Sequence, residues 1–303
     1  NLTRTVLSTV NTAENPTALM AKREMQSWRV LRLEPAAMRR PDEITAPPKL
    51  ATDGSHLAAM LFHLPKTARY AGNSSHDPLT SLDASTMLYA RLSRRMREFI
   101  GDFREIAVDH DEKREILTVT CTGWDGTTHT ARALADGALR FLALAAMELD
   151  TENPGVICLE EPENGIHPDC IPAMLSLLMD LAVDVEKPVG ADNPLRQVIV
   201  NTHSPAIVAR IPEESLLIAE LVELISQGMK FKAARFGALP DTWRQNAEEK
   251  PATAVREKLA PYLPPVVEKE EPEQGEKERK REPAGQKGRP DQHPLLPFLI
   301  VSK

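Results

Sequence analysis

Apolar residues follow two different spacings along this chain. In Gly155–Leu159 and Gln197–Asn201 they run without interruption, as Val156, Ile157, Cys158 and Leu159 and as Val198, Ile199 and Val200. Short continuous runs rich in β-branched residues predict strands buried on both faces, as in a parallel sheet. Elsewhere apolar residues recur every three or four positions, the period of a helix with one buried face. Leu57, Met60, Leu61 and Leu64 predict a helix over 56–64, and Leu88, Leu92, Met96 and Phe99 another over 84–100. Met174, Leu177, Leu178 and Leu181 predict one over 171–183, and Asp136-Gly137 marks the entry to a helix over 134–147. Pro16 opens a further helix over 16–25.

Shorter signals fill the gaps. Trp28–Leu33 alternates towards a strand, with Trp28, Val30 and Arg32 on one side. Residues 103–108 and 115–122 read as strands, and Asp125-Gly126 as a hairpin turn that returns through 127–131. Residues 206–209 start a helical turn, 216–219 form a strand, and 221–225 and 229–231 pair. Pro35, Pro41, Pro47 and Pro48 make 34–49 a loop, and 65–78 reads as a turn-rich linker. Strand, helix and strand alternate with continuously apolar strands. That predicts an α/β fold with a mostly parallel sheet flanked by helices.

Composition narrows the class. With 303 residues, 42% apolar and 27% charged, the chain can bury a sizeable core of Leu, Ala, Val and Met, aromatics being only 4%. The net charge of −7 gives no general drive towards nucleic acid. Arg91, Arg94, Arg95 and Arg97 line one helix face, read as solvated in preference to DNA-facing. Cys121, Cys158 and Cys170 form no CxxC pair, which suits a reduced, cytoplasmic protein. No apolar run approaches membrane-spanning length and no signal peptide opens the chain, so no membrane partner is expected. Residues 247–292, dense in Glu, Lys, Arg and Pro, are expected to be mostly disordered, and Leu295–Val301 to dock as a peptide or strand.

The chemistry gathers at three places. In GVICLEEPENGIHP (155–168) an apolar strand ends in two adjacent carboxylates, Glu160 and Glu161. The carboxyl ends of parallel strands are where open α/β sheets bind ligands, and paired acids there need a cation or partner. Before it lies LADGALRFLALA (134–145), a helix start whose N–H groups would suit a phosphate. After it lies VIVNTHSP (198–205), a strand ending in His203.

This order resembles the nucleotide-binding half of ATP-binding-cassette and structural-maintenance-of-chromosomes (SMC) type ATPases, and most nearly the stand-alone SMC-like (RecF/OLD-like) AAA-family ATPases of bacteria. The first motif is similar to their signature, the second to their Walker B motif with catalytic glutamate and D-loop, and the third to their switch histidine. Trp28–Arg39, Asp53–Leu64 and Phe236–Arg244 share that family's texture, so the resemblance covers most of 28–245. It implies a P-loop NTPase fold of the ABC/SMC-like type with a short helical lid. Residues 1–130 would be the remainder of an N-terminal lobe, 131–245 the C-terminal lobe, and 246–303 a charged, Pro-rich tail. It also implies ATP and Mg²⁺ as ligands. Glu160 would hold Mg²⁺, Glu161 would polarise the attacking water, and His203 would sense the γ-phosphate. Leu134, Ala135, Asp136, Gly137 and Ala138, with Asn164 and His167, would face the nucleotide of a second copy in an ATP-sandwiched homodimer. Hydrolysis would gate DNA or a co-encoded effector, as in repair or anti-phage systems.

Two departures qualify that picture. No GxxxxGK[ST] occurs in the 303 residues, so nothing here cradles phosphates in the usual way. In the family that motif precedes the Trp28 region, and the start at Asn1 fits a chain lacking it. Such a chain is expected to bind ATP poorly and to hydrolyse none. Ala135 also stands where the signature usually carries Ser. That favours a rival reading, a nucleotide-gated scaffold with little turnover. A third, a metal-dependent hydrolase on Cys158, His167, Cys170 and His203, fits no zinc spacing. A nuclease would need a lysine after Glu161-Pro162-Glu163 and a second acidic cluster, and has neither.

Overall fold

In the computed structural model the described residues are 5–10, 15–67, 84–150, 155–190, 192–226, 228–246, 252–254, 259 and 299–302. A helix α1 (Pro16–Ser27) opens with Pro in its first turn and leads into the short strand β1 (Arg29–Leu31). Trp28 and Val30 face outward, and Leu31 and Leu33 point into the core. The 34–49 stretch, expected as a loop, holds a helical turn α2 (Pro35–Met38) and a two-residue strand β2 (Asp42–Glu43). Pro35 sits at the first helical position, where its missing N–H costs nothing.

Asp42 shows what that stretch is for. Its buried carboxylate accepts from the Ala59 N–H (3.1 Å) and pairs with His56 Nδ1 (3.1 Å). It thereby satisfies the open N-terminus of α3 (Leu57–Thr67), whose Leu57, Met60, Leu61 and Leu64 are all buried. The helix includes 65–67, expected as linker, and 68–78 lie outside the described residues. Helix α4 (Ala84–Phe99) buries Leu88, Leu92 and Met96, as its spacing predicts. Both helices cover an antiparallel sheet of β3 (Glu105–Asp111), β4 (Ile116–Thr122) and β5 (Thr128–Thr130), with β2 on the same edge of β4 as β5. Leu117, Val119 and Cys121 alternate inward along β4.

The arginine face of α4 is not uniformly solvated. Arg91, Arg94 and Arg97 are exposed, but Arg95 turns inward. It donates to Glu148 (3.0 and 3.2 Å), to Glu98 (3.0 Å) and to Asp180, tying α4 to the two helices beside it. Those helices are α5 (Asp136–Leu149) and α6 (Ile171–Leu181). Helix α5 is buried almost all round, which explains its eleven buried residues and its run of small alanines.

The second sheet contains β6 (Gly155–Glu160), β7 (Arg196–Thr202), β8 (Leu216–Ser226), β9 (Met229–Ala238), β10 (Ala252–Thr253) and β11 (Leu299–Ser302), with β1. Its order is β1-β6-β7-β11-β8-β9-β10. From β1 to β8 every pairing is parallel, and β9 returns antiparallel along β8. The short helix α7 (Pro205–Val208) follows β7. This is the α/β class expected, a mainly parallel sheet flanked by helices. The strands alternate more than expected: Ile157, Leu159, Val198 and Val200 are buried, but Val156, Cys158 and Ile199 only half so. Helix α1 lies against β6. At the start of β6 a side chain on Gly155 (φ 109°) would collide with Ser27, so the α1–β6 approach needs glycine.

Most of 247–292 lies outside the described residues, but β10 and the buried Ala254 and Leu259 place 252–254 and 259 in the fold. Leu299–Ser302 joins the sheet as a strand, as its apolar run suggested. Among the described residues no helix is long and apolar enough to cross a membrane.

Candidate functional site

The carboxyl ends of β1, β6 and β7 meet at one edge of the sheet. Register places Leu31 beside Leu159 and Glu160 beside Asn201. A cleft of about 320 Å³ opens there, lined by Arg32, Glu34, Arg140, Glu160, Glu161 and Asn164 among others. The Glu161 N–H still bonds Asn201 O (2.8 Å), but its φ of 43° then breaks the strand. A left-handed conformation is costly for a residue other than glycine, and such strain concentrates where surrounding structure imposes it. Here two bonds impose it: Asn164 N–H to Glu161 O and Ile166 N–H to Glu163 O, each 3.0 Å.

The two acids are therefore aimed differently. Glu160 points into the cleft, where Arg32 Nε lies 2.6 Å from its Oε2. Glu161 turns towards β7, and His203 Nε2 stands 4.0 Å from its Oε1, both side chains about half exposed. Behind them lies a third acid. Glu163 accepts a hydrogen bond from Thr202 Oγ1, and the same oxygen of Thr202 accepts from Ser204 N–H (3.0 Å). The other oxygen of Glu163 is buried with no hydrogen-bond partner among the described residues. Burial, with the charge of Glu161 adding to it, raises the Glu163 carboxyl above its ordinary value near 4.5.

A raised carboxyl has a definite consequence for stability. The folded state favours the proton more than the unfolded state does, so stability falls as pH rises from the ordinary value through the folded one. Glu163→Gln keeps the acceptor for Thr202 and has nothing to ionise. It is expected to gain stability relative to the parent as pH is raised above the ordinary carboxyl value, in urea titrations across pH. A pH-independent difference would remove Glu163 as the cause.

The start of α5 lies across the turn from these acids. Ala135 is its N-cap and offers no side-chain hydrogen bond. Arg39 donates to Leu134 O (2.8 Å) and to Asp136 Oδ1 (2.5 Å), holding this start against α2. Ala135 and Asp136 are exposed, whereas Gly137 and Ala138 are buried. A Cβ on Gly137 would meet Gly165 O and Ile166 Cγ1, each at 2.8 Å. This glycine is thus spent on seating the helix against the turn of the acidic loop. Arg140 adds a second tie, donating to Leu33 O (3.0 Å) and to Asn164 O. Asn164 and His167 are exposed, and His167 Nδ1 accepts from Asp169 N–H (3.3 Å).

The structure therefore joins Glu161 to His203, and Asp136-Gly137 to the Asn164–Ile166 turn, as two adjoining groups. Arg32, Arg39, Arg140, Thr202 and Glu163 were not singled out from sequence. Each acts through a partner far along the chain, so no local pattern marks it. Only Glu163, an acid inside a turn of acids, carried a visible signal.

A hard cation would find the open carboxylate of Glu160 in exchange for Arg32. Mg²⁺ takes one or two carboxylates together with phosphate oxygens and keeps several waters, so this donor set fits Mg²⁺ arriving with a nucleotide. It does not suit a closed zinc cage. Among the described residues no three His, Cys, Asp or Glu side chains are gathered to hold a metal, and the cluster on Cys158, His167, Cys170 and His203 does not form. Cys170 Sγ instead bonds Phe99 O (3.4 Å), and all three cysteines are free thiols.

A family model described as "AAA domain, putative AbiEii toxin, Type IV TA system" matches residues 16–209. No curated protein matches the chain. Among solved structures it is similar to the Smc head domain with a coiled coil and joint derived from Pyrococcus yayanosii. That likeness has 9% identity and a TM-score of 0.32, and covers half of this chain and 27% of that one.

Proposed function

The chain belongs to the AAA-domain family whose model spans its residues 16–209, and from that premise we propose that it is the nucleotide-handling part of an SMC-like, RecF/OLD-like ATPase. The observation that carries the reading is the placement of Glu161 and His203, 4.0 Å apart at the ends of adjacent parallel strands. Glu161 is the group that would orient and polarise a water, and His203 is the neighbour that would sense a phosphate beside it. Phosphoryl transfer asks for such positioning and charge stabilisation more than for covalent chemistry. Glu160 would hold Mg²⁺, which supplies charge neutralisation between phosphate oxygens when bound. Three acids at one strand end would otherwise repel a nucleotide, so a cation is needed for the site to take one.

The half-buried Leu134 and the exposed Ala135 and Asp136 at the start of α5, with Asn164 and His167, would face the nucleotide of a second copy, giving a homodimer. Gly137 and Ala138 would support that surface from beneath. Hydrolysis would gate DNA or a co-encoded effector protein. A specific observation favours the rival scaffold reading: Ala135 puts no hydroxyl at the helix start. Such a protein would dimerise on ATP and turn over little.

The 303 residues contain no Gly-rich loop with Lys to cradle phosphates, so by itself the chain is expected to hydrolyse no ATP. It should still take up Mn²⁺–ATP weakly, and Glu160→Ala should weaken that uptake about tenfold, a loss of ~1.4 kcal/mol. Electron paramagnetic resonance of bound Mn²⁺ reads the second expectation and phosphate release the first. Uptake that ignores Glu160→Ala would remove this residue from the metal's shell.

A further inference from the structure

A second cavity, of about 800 Å³, lies towards the opposite end of β7 from His203. Asp192 and Asn193 line it just before β7 begins, and the neighbouring Val183 N–H bonds Arg196 O (2.8 Å) at the first residue of that strand. Helix α6 and the last turn of α5 form one wall, residues of the 182–193 stretch a second, and Arg210, Ile211 and Pro212 a third. None of its lining residues belongs to the cleft of Glu160 and Glu161. We propose that this cavity is a docking site for another protein, and that its occupant is a segment with large apolar side chains flanked by Lys or Arg.

The lining is partly apolar and fixed in advance. Leu175 is buried there, and Ile211 packs against the core. Met179 and Val185 line the same space yet are 42% and 46% exposed. Val189 and Leu195 add exposed apolar surface on the same stretch of chain, outside the lining. Apolar surface gathered at a cavity marks an interaction site, where the same residues scattered singly would not. One side chain staples the second wall. Asn193 Oδ1 accepts from Asp184 N–H (2.8 Å), and its Nδ2 donates to Asp184 O (2.8 Å), Lys187 O (3.1 Å) and Pro188 O (3.3 Å). The buried Arg196 donates to Leu181 O (3.3 Å) and Asp150 O (2.5 Å), which holds the ends of α6 and α5 together. A wall that is already ordered costs a ligand little conformational entropy on binding.

Charge selects the occupant. Glu148, Asp180, Asp184, Glu186 and Asp192 line the cavity, against two cations, Lys187 and Arg210. Arg95 is shared by Glu148 and Asp180, and Lys187 pairs with Asp184 (2.8 Å). Glu186 and Asp192 are exposed and have no ion pair among the described residues. Helices α5 and α6 both end here, and the negative ends of their dipoles add to the same field. Such a surface repels the phosphates of a nucleic acid and draws in a cationic segment. Carboxylates alone would take any cation. Met179 and Val185 add the demand for apolar side chains, and the apolar surface outside the lining suits a protein segment better than a small molecule.

Fluorescence anisotropy on the full chain tests this with a labelled amphipathic peptide of leucine and lysine, its leucines at i, i+3, i+4 and i+7. A protein of net charge −7 attracts basic peptides at many places, so the variants decide. Saturable binding at one site per chain is expected, and the same peptide with glutamate for every lysine should not bind. Glu186→Lys with Asp192→Lys should weaken binding at least about tenfold by placing like charges against the peptide. Met179→Ser with Val185→Ser should also weaken it at least about tenfold, through lost apolar contact. All four side chains are exposed, so both double variants are expected to fold as the parent does. Absence of saturable binding, or equal binding of the glutamate peptide, overturns the proposal. Loss in the lysine variant alone identifies an adventitious basic contact and overturns the apolar docking site. A dimer of the free chain that the serine variant disperses gives this face to a second copy and overturns the partner. No step uses nucleotide, so failure of the ATPase reading would leave the result intact.

Discussion

Glu161→Gln is expected to lower ATP turnover about a hundredfold or more in any assembly of this protein that hydrolyses ATP. The lost step is the positioning and polarisation of water by a carboxylate, and general-base assistance of that kind is worth roughly 10² to 10⁴ in rate. Glutamine matches the shape of glutamate, so the turn that holds position 161 at φ 43° should survive. Nucleotide binding should survive with it, because the carboxylate placed to hold the metal is Glu160. The variant should therefore accumulate as a nucleotide-held dimer, visible by light scattering alongside single-turnover phosphate release. Unchanged turnover and an unchanged dimer population would instead identify the scaffold reading, in which Glu161 has no water to act on.

Gly137→Val is expected to destabilise the fold by about 1–3 kcal/mol, the range for overpacking a tight interior contact. The added Cβ would stand 2.8 Å from Gly165 O and from Ile166 Cγ1, and the first of these is backbone that cannot swing aside. A β-branched side chain also fits a helix start poorly. Gly137→Ala should cost less, since alanine's higher helix propensity, near 1 kcal/mol over glycine, offsets part of the clash. Urea unfolding measures both. If Gly137→Val stays within about 0.5 kcal/mol of the parent, α5 does not rest on the turn that carries Asn164, and Gly137 is free for another purpose. The outcome matters for function because this contact fixes how the helix start sits relative to the Glu160–Glu161 pair.

Much of the architecture was legible from spacing alone. Leu57, Met60, Leu61 and Leu64, or Leu88, Leu92 and Met96, fall on one helical face because burying that face dominates the energy. The apolar runs at 156–159 and 198–200 form neighbouring parallel strands for the same reason. The short pieces between 34 and 49 were not legible. Asp42 is a strand residue and a helix cap because α3 presents open N–H groups to it, and nothing local in Pro-Asp-Glu announces that. Arg95 looked like one of four surface arginines. Its three carboxylate partners come from α4, α5 and α6, so its burial is a property of their packing.

The candidate site divides in the same way. Sequence by itself determined which chemistry is present: two acids ending an apolar strand, a histidine ending the next, a glycine opening a helix, and no phosphate-cradling loop. Those follow from residue type and period, which are local. Tertiary structure alone decided how the groups are used. It turned Glu161 away from Glu160 through a left-handed backbone and set it beside His203. It gave Glu160 an arginine and left one oxygen of Glu163 buried without a partner. It spent Gly137 on a helix–turn contact and placed Leu299–Ser302 between β7 and β8. Each of these is a long-range contact, fixed by how hydrogen bonds and packing close across the sheet, and local pattern carries no information about such closures.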